Sequence, residues 1–358
     1  MPIPIVTLEG TAYEIGKRHG QVAEKMIERN LNFYFHFWQN AQLTRERIIA
    51  LARGWIQFLK EFYPDHLEEM RGLSDGANRP LEEIVALNAR WELTYAPTNG
   101  DGGCTAVALA PEATRSGHTL IGQNWDFRPP LKENCIILLV NQKGKPSLLM
   151  HTEAGIIGHI GLNEVGIGLC VNFIATERDR LSIGIPNWVK CREILECESL
   201  HQVLGKVINH FEGPVSINFL VAHKDGEMID LESTPIDTFF LHPFKSILTH
   251  TNHIQSERLF IKDTGKGALP DTLIRSGRAR KLLEAKKELE IHNIFDVLRD
   301  HFDYPNSICR HADDRLPILE RWESCASLVM DLNERRLYYT EGPPCQSEYQ
   351  SVSLPEYF

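Results

Sequence analysis

No stretch of this chain approaches the ~18–20 consecutive apolar residues that a bilayer-crossing helix needs, so no transmembrane helix is expected. There is no run of basic residues either. With a formal net charge of −10, the surface argues against nucleic acid or anionic lipid as the main partner. The opening MPIPIVTLEG lacks the basic-then-apolar layout of a secretory signal, and the closing SLPEYF is neither a peroxisomal nor an ER-retention tail; a cytosolic location is expected. Eight cysteines are present (104, 135, 170, 191, 197, 309, 325 and 345) without a CxxC pair. That excludes a disulfide framework and a zinc knuckle, and leaves most of them as small buried hydrophobes. HExxH is absent. HTNH at 250–253 sets two histidines three apart with no third ligand at helical spacing, so no metal is expected. GIIGHIGLNEVGIG (155–168) does not match GxGxxG before a helix and reads as hairpin turns and bulges. No cofactor signature appears.

What is present divides by period. The first hundred residues read as helical. Thr11 with Glu14 makes a capping box that opens a helix through about residue 40, with Ile15, Val22, Met26 and Leu31 at helical spacing. Further helices fit 44–60, 65–72 and the stretch after Pro80. At residue 104 the pattern changes to short strand-like runs: TAVALA, HTLIGQNWD, NCIILLVNQ and SLLMHTEAG. GLNEVGIGLCVNF follows as a hairpin. Two helices fit 186–209, more strands follow, 273–298 returns to helix, and SCASLVMDL with RRLYYTE closes as a hairpin. No repeat, low-complexity tract or linker divides the chain. One α+β domain over residues 1–358 is expected.

The change of period coincides with TNGDGGCTAVAL (98–109). Alone, Gly-Gly-Cys is most simply a turn entering a strand with a buried cysteine. Its position at the junction supports a chemical reading. Glycines 102 and 103 permit a bent backbone, and the Cys104 sulfur can then attack the Gly103 carbonyl. An N-to-S acyl shift followed by hydrolysis would free an α-amine on Cys104. With a pKa of ~7.7–8, that amine can serve as a base beside its own thiol. Other polar residues are candidates: Asn124 and Asp126 of QNWDF lie in a strand among apolar residues and need partners, Asn252 of HTNH offers a side-chain amide, Ser307 and Arg310 of YPNSICR follow a helix-ending Pro, and Ser233 of LEST stands at a strand end. Each of these alone is as well a cap, a turn or a packed polar group. His19 on the first helix reads as a packed or capped histidine.

Taken together, GTAYEIGKRHG, RGLSDGAN, LNARWE, GGCT, GQNWDF, TEAGIIGHIGLNEVGI, HTNH and YPNSICR, in that order, resemble the isopenicillin-N acyltransferase (acyl-CoA:6-aminopenicillanic acid acyltransferase) family of N-terminal-nucleophile hydrolases. The resemblance runs nearly the whole length. It implies a four-layer αββα sandwich and autocatalytic cleavage between Gly103 and Cys104. It also implies an α fragment (1–103) and a β fragment (104–358) that stay together. By the same resemblance Cys104 is the nucleophile, Asn252 the oxyanion-hole amide, Asp126 and Arg310 residues of self-processing, and Ser307 and Ser233 serines of processing or acyl handling. The implied reaction is acyl transfer or amide hydrolysis on small N-acyl compounds, β-alanyl amides among the alternatives. Coenzyme A enters only as the carrier of a thioester cosubstrate. There are two departures: the family's fungal penicillin enzymes show DGCT where this chain has Asp101-Gly102-Gly103-Cys104, so Asp101 is given no role, and the chain ends in Glu-Tyr-Phe rather than a peroxisomal tripeptide.

Two other readings stand beside this one. A papain-like thiol enzyme would pair an internal Cys104 with His250 or His253 and remain uncut. A ligand-binding relative would keep the fold with an intact chain and an ordinary thiol. For the bound partners, the expectation is a small-molecule amide, and no nucleic acid or membrane.

Overall fold

The computed structural model describes residues 2–98, 103–211, 213–257 and 260–355. The chain opens on a strand, β1 (Ile5–Gly10), where the sequence reads as helical; it pairs in parallel with a strand more than a hundred residues on, a partner that local pattern does not reveal. Five helices follow: α1 (Ala12–Asn40), α2 (Arg45–Phe62), α3 (Pro64–Gly76), α4 (Leu81–Asn88) and α5 (Arg90–Thr98). The capping box forms as expected. Thr11 Oγ1 accepts from Glu14 N at 3.3 Å, and Glu14 Oε2 accepts from Thr11 N at 2.9 Å. The buried stripe of α1 runs through Ile15, His19, Ala23, Ile27, Leu31, Tyr34 and Trp38; Val22, expected in it, lies on the exposed face. Helices α1 and α3 pack backbone to backbone. A Cβ on Gly16 would lie 1.9 Å from Glu69 O, and one on Gly72 2.0 Å from Tyr13 O, so only glycine admits this approach.

Strands then alternate with helices: β2 (Gly103–Leu109), β3 (Leu120–Phe127), β4 (Cys135–Gln142), β5 (Leu148–Glu153), β6 (Ile160–Asn163), β7 (Ile167–Asn172), α6 (Asn187–Leu195), α7 (Leu200–Asn209), β8 (Ile217–His223), β9 (Met228–Ser233), β10 (Thr238–Leu241) and β11 (Ile247–His250). The last part of the chain carries α8 (Gly265–Ala268), α9 (Thr272–Glu284), α10 (Ile291–Leu298), β12 (Glu323–Asp331), β13 (Arg336–Tyr339) and β14 (Gln350–Ser353). They form an eight-stranded sheet ordered β1-β4-β5-β6-β7-β8-β9-β10 and a six-stranded sheet ordered β11-β2-β3-β12-β13-β14. The sheets face each other where β2 and β3 meet β7. Helices α1 and α6 cover the larger sheet, and α9 and α10 the smaller. This is the expected αββα sandwich. Among the described residues no helix is long and apolar enough to cross a membrane.

The pleat of β2 decides where the candidate nucleophile points. Cys104, Ala106 and Ala108 belong to the core between the sheets, whereas Val107 and Leu109 belong to a second core under α9 and α10. Side chains alternate between faces with period two, so Thr105 shares the helix-facing side and Cys104 the inter-sheet side.

Candidate active site

β2 is the second strand of the smaller sheet, held between β11 and β3. It begins at Gly103, which pairs with Asp126, while Cys104 pairs with Trp125. On its other side His250 pairs with Ala106, and continuing that antiparallel register sets Asn252 opposite Cys104. The contact is direct: Cys104 N donates to Asn252 Oδ1 at 2.8 Å. The orientation of that amide follows from its neighbours. Its oxygen faces two donors, Cys104 N and Arg275 Nη2 at 2.8 Å, and its nitrogen faces the Phe173 carbonyl at 3.0 Å.

Arg275, on α9, is the residue that local sequence does not single out. Four residues after Asp271, it reads as half of a surface helix pair. In the fold it is buried and reaches under β2. Its Nη1 donates to Cys104 O at 2.6 Å and to Thr105 Oγ1 at 3.0 Å, and its Nε to Asp271 Oδ2 at 2.7 Å. One guanidinium therefore fixes the backbone of the candidate nucleophile and the Asn252 amide together.

Asp126 and Arg310 meet, but not as the bidentate pair expected from the sequence. Arg310 Nε lies 3.4 Å from Asp126 Oδ2, while Nη2 donates to Asp271 and Nη1 to Asn306 Oδ1 at 2.9 Å. The fork's hydrogen bonds go to Asp271 and Asn306, which flank it, and Asp126 keeps the longer ionic contact. Ser324 completes the arrangement: its Oγ accepts from Arg310 N at 3.0 Å and donates to Asp126 Oδ1 at 2.7 Å. Two carboxylates and two guanidiniums thus form a formally neutral group, buried except for the half-buried Asp271. Burial pushes Asp126 up to about 6, against the pull of Arg310 and Arg275. Burial acts on Asp271 too, but there Arg275 and Arg310 outweigh it and hold the carboxyl below its usual range. The Cys104 thiol is pushed up to about 12, first by burial and then by the Asp126 charge; hydrogen bonds from the Asp126 backbone and Gln123 and the Arg275 charge act the other way.

Gly103 answers the question that the sequence raises, in a different way from the one expected. Its φ is not in the left-handed region; what it supplies is room. A Cβ there would lie 2.9 Å from Arg310 Nε and 3.0 Å from Asp126 Oδ2. Residues 101 and 102 lie outside the described residues. Gly103→Val is therefore expected to push the Asp126–Arg310 contact apart and to slow any chemistry at the Gly103 carbonyl by up to ~10²-fold, the cost of roughly an ångström of misplacement. A time course of chain scission on denaturing gels measures this, and wild-type speed in the valine variant would remove the steric role.

The remaining candidates are placed elsewhere. Ser307 Oγ donates to Cys309 O at 2.5 Å and ties the loop that carries Arg310. Ser233 is buried at the end of β9 in the other sheet, paired with Ile217 and Thr238. Neither hydroxyl hydrogen-bonds to Cys104 among the described residues. The two histidines of HTNH diverge: His250 Nε2 faces Glu232 at 3.1 Å and Asp230 at 3.6 Å, while His253 Nδ1 sits 3.0 Å from Thr272 Oγ1. No hydrogen bond joins either ring to Cys104 among the described residues, so the papain-like pairing gains no support from the geometry. His19 is packed as expected: its Nε2 accepts from Gly155 N at 3.1 Å, and burial holds its pKa down near 3, so the ring stays neutral.

Residues 113–346 match the family described as acyl-coenzyme A:6-aminopenicillanic acid acyl-transferase. The chain belongs to this family. Over 315 residues, 85% of this chain and 84% of the relative, it is 33% identical to the acyl-coenzyme A:6-aminopenicillanic-acid-acyltransferase 40 kDa form of Emericella nidulans. Its fold is similar to that of a conjugated bile acid hydrolase variant from Clostridium perfringens, with a TM-score of 0.50 and 16% identity over 70% of this chain and 92% of that one. Penicillin V acylase from Agrobacterium tumefaciens is a more distant neighbour, with a TM-score of 0.44 and 13% identity over 66% and 83% of the two chains. The protein is thus an enzyme of this acyltransferase family, with the fold of the N-terminal-nucleophile hydrolases.

Proposed function

We propose that the chain cuts itself between Gly103 and Cys104 and then uses Cys104 as an N-terminal nucleophile for acyl transfer among small N-acyl compounds. The observation that carries this reading is the grip on one residue: Asn252 holds the Cys104 nitrogen and Arg275 its carbonyl, while the preceding Gly103 lies against Asp126 and Arg310. In the cut, the Cys104 sulfur loses its proton and attacks the Gly103 carbonyl carbon. The C–N bond breaks, Cys104 N takes a proton, and a thioester joins Gly103 to Sγ. Water then hydrolyses the thioester, leaving a carboxylate on Gly103 and a free thiol and α-amine on Cys104. Asn252 Oδ1 is already placed to hold that amine. With an ordinary α-amine pKa of ~7.7–8, it can take the thiol proton near neutral pH.

In the mature enzyme the thiol attacks an acyl carbonyl, the leaving amine or coenzyme A thiol departs with a proton, and the acyl group rests on Sγ until an amine or water takes it. A coenzyme A thioester fits as cosubstrate by kinship with the fungal relative. The two fragments have reason to stay together. Asn30, Asn88, Arg90 and His19 of the first hundred residues all bond to residues 153–157: Asn30 Nδ2 to Ala154 O and Asn88 Nδ2 to Gly155 O, both at 2.9 Å, Arg90 to Glu153, and His19 as above. None of these contacts involves the Gly103–Cys104 bond, so the cut leaves them in place.

Intact mass under denaturing conditions tests the proposal. Two polypeptides are expected, the larger beginning at Cys104, with an acyl adduct on that fragment after exposure to an acyl thioester. A single uncut, unacylated chain would sink it.

The Asp126 shift adds a pH dependence. Its folded value of about 6 lies above the ordinary 3.8. The contribution of Asp126 to stability is therefore present below about 3.8 and lost as pH rises through 6. Processing is expected to run the other way, because the ionised carboxylate is the form that holds Arg310. Between pH 7 and pH 5 the ionised fraction falls about tenfold, and the self-cleavage rate should fall with it. A rate flat across that interval would release Asp126 from the reaction.

A further inference from the structure

On either side of Arg310 in the chain, Cys309 and His311 are joined by residues 301 and 345, and four possible metal-ligating side chains come together. His301, Cys309, His311 and Cys345 each offer a ligand atom, and these atoms all lie within 4.8 Å of one another. His301 Nε2 stands 3.1 Å from His311 Nε2, which in turn stands 3.5 Å from Cys309 Sγ and 3.3 Å from Cys345 Sγ. Two facing ring nitrogens share at most one proton and a thiol is a weak donor, so these four atoms make a poor hydrogen-bond network and a ready donor set for a metal.

The geometry points to a structural zinc site of the Cys₂His₂ type. Zn–N distances of ~2.0–2.1 Å and Zn–S distances of ~2.3 Å imply tetrahedral edges of ~3.3 Å between nitrogens and ~3.5 Å between nitrogen and sulfur. The three separations given above lie within a few tenths of an ångström of those edges. The donor set is soft and nitrogenous and contains no carboxylate, which favours zinc over magnesium or calcium. Four protein ligands close the tetrahedron, so the site holds structure and leaves no position for catalysis. Cys309 is buried, while His301 and Cys345 are exposed, which gives an ion a path of entry. On binding, the two thiols lose their protons to solvent as the metal–sulfur bonds form. The ion would join the loop 301–311, which carries Ser307 and Arg310, to the segment around Cys345.

Purified full-length protein, dialysed free of loose metal, is expected to hold about one zinc per chain by elemental analysis. After removal by a chelator, cobalt(II) should restore the ligand-field and thiolate charge-transfer bands of a four-coordinate site. Cys345→Ser and His301→Ala change exposed residues and should fold. Each is expected to weaken zinc binding by at least ~10²-fold, the upper range for loss of a mere second-shell partner. Added zinc should raise the melting temperature of the wild type and not of either variant. Cys104→Ala should retain its zinc. Zinc content and affinity unchanged in both ligand variants would overturn the site, as would a metal-free protein with no zinc uptake. A mass two hydrogens short, from a Cys309–Cys345 disulfide that blocks uptake in the isolated protein, would also overturn it and make the cluster a redox pair.

Discussion

Cys104→Ala is expected to remain a single polypeptide of 40.8 kDa with no measurable acyl transfer or amide hydrolysis. The alanine leaves a small void in a well-packed place, because Cys104 is 6% exposed and lies between the sheets. Single substitutions of that kind cost ~0.5–3 kcal/mol, which a chain of this size should survive. The chemical loss is far larger. Removing a covalent nucleophile costs ~10⁶-fold in turnover in a well-measured hydrolase, and the proposed reading requires the same sulfur twice, once to open the chain and once in each catalytic cycle. The Asn252 and Arg275 contacts to the Cys104 backbone do not depend on the side chain, so the variant should preserve the local geometry. Scission of the alanine variant at the same bond would mean that an external protease makes the cut.

Asn252→Ala should leave a folded protein whose turnover falls by ~10²–10³-fold, the usual cost of one oxyanion donor. The proposed reading gives this side chain two functions. Its oxygen accepts from the Cys104 nitrogen. Its amide nitrogen carries two hydrogens, of which the Phe173 carbonyl takes one. In the proposed reading the other serves a negative oxygen developing beside Sγ. Loss of the acceptor also frees Arg275 Nη2, which has its second hold on this oxygen. The expected kinetic signature is a fall in kcat with little change in KM, because both losses act on the reacting centre rather than on the bound acyl group. Normal maturation and full turnover in Asn252→Ala would remove the residue from the machinery.

Several motifs read from the sequence turn out to be parts of one contact. His19 of GTAYEIGKRHG, Asn88 and Arg90 of LNARWE, and residues 153–157 of TEAGIIG converge on the interface between the first hundred residues and the larger sheet. The sequence shows them as separate islands, since they lie up to 136 positions apart. Around Cys104 the same limit appears. Asp126 is legible as a polar residue in an apolar strand, and Asn252 and Arg310 as members of the short motifs HTNH and YPNSICR. Arg275, Asp271, Asn306 and Ser324 are not, because each has an ordinary local reading as a helix pair, a cap or a turn. The cluster His301–Cys309–His311–Cys345 matches no compact metal motif, as its fourth member lies 34 residues beyond the third.

The sequence by itself determined most of the elements, β1 excepted, and the chemistry on offer. Helical period before residue 104, strand period after it, the capping box at Thr11 and the Gly-Cys junction all follow from side-chain spacing and backbone preference, which are local properties. The tertiary structure alone decided which residues share the site. β2 is clasped between β11 and β3, and that pairing carries Asn252 and Asp126 to either side of the Gly103–Cys104 bond. The roll of β2 turns Thr105 toward α9 and Cys104 toward the other sheet. Gly103 illustrates the division. Its presence is plain in the sequence, but the reason for it, the space taken by Arg310 and Asp126, exists only once distant strands have paired. Burial does the rest, since the raised Asp126 carboxyl and Cys104 thiol reflect the removal of water, and only packing removes it.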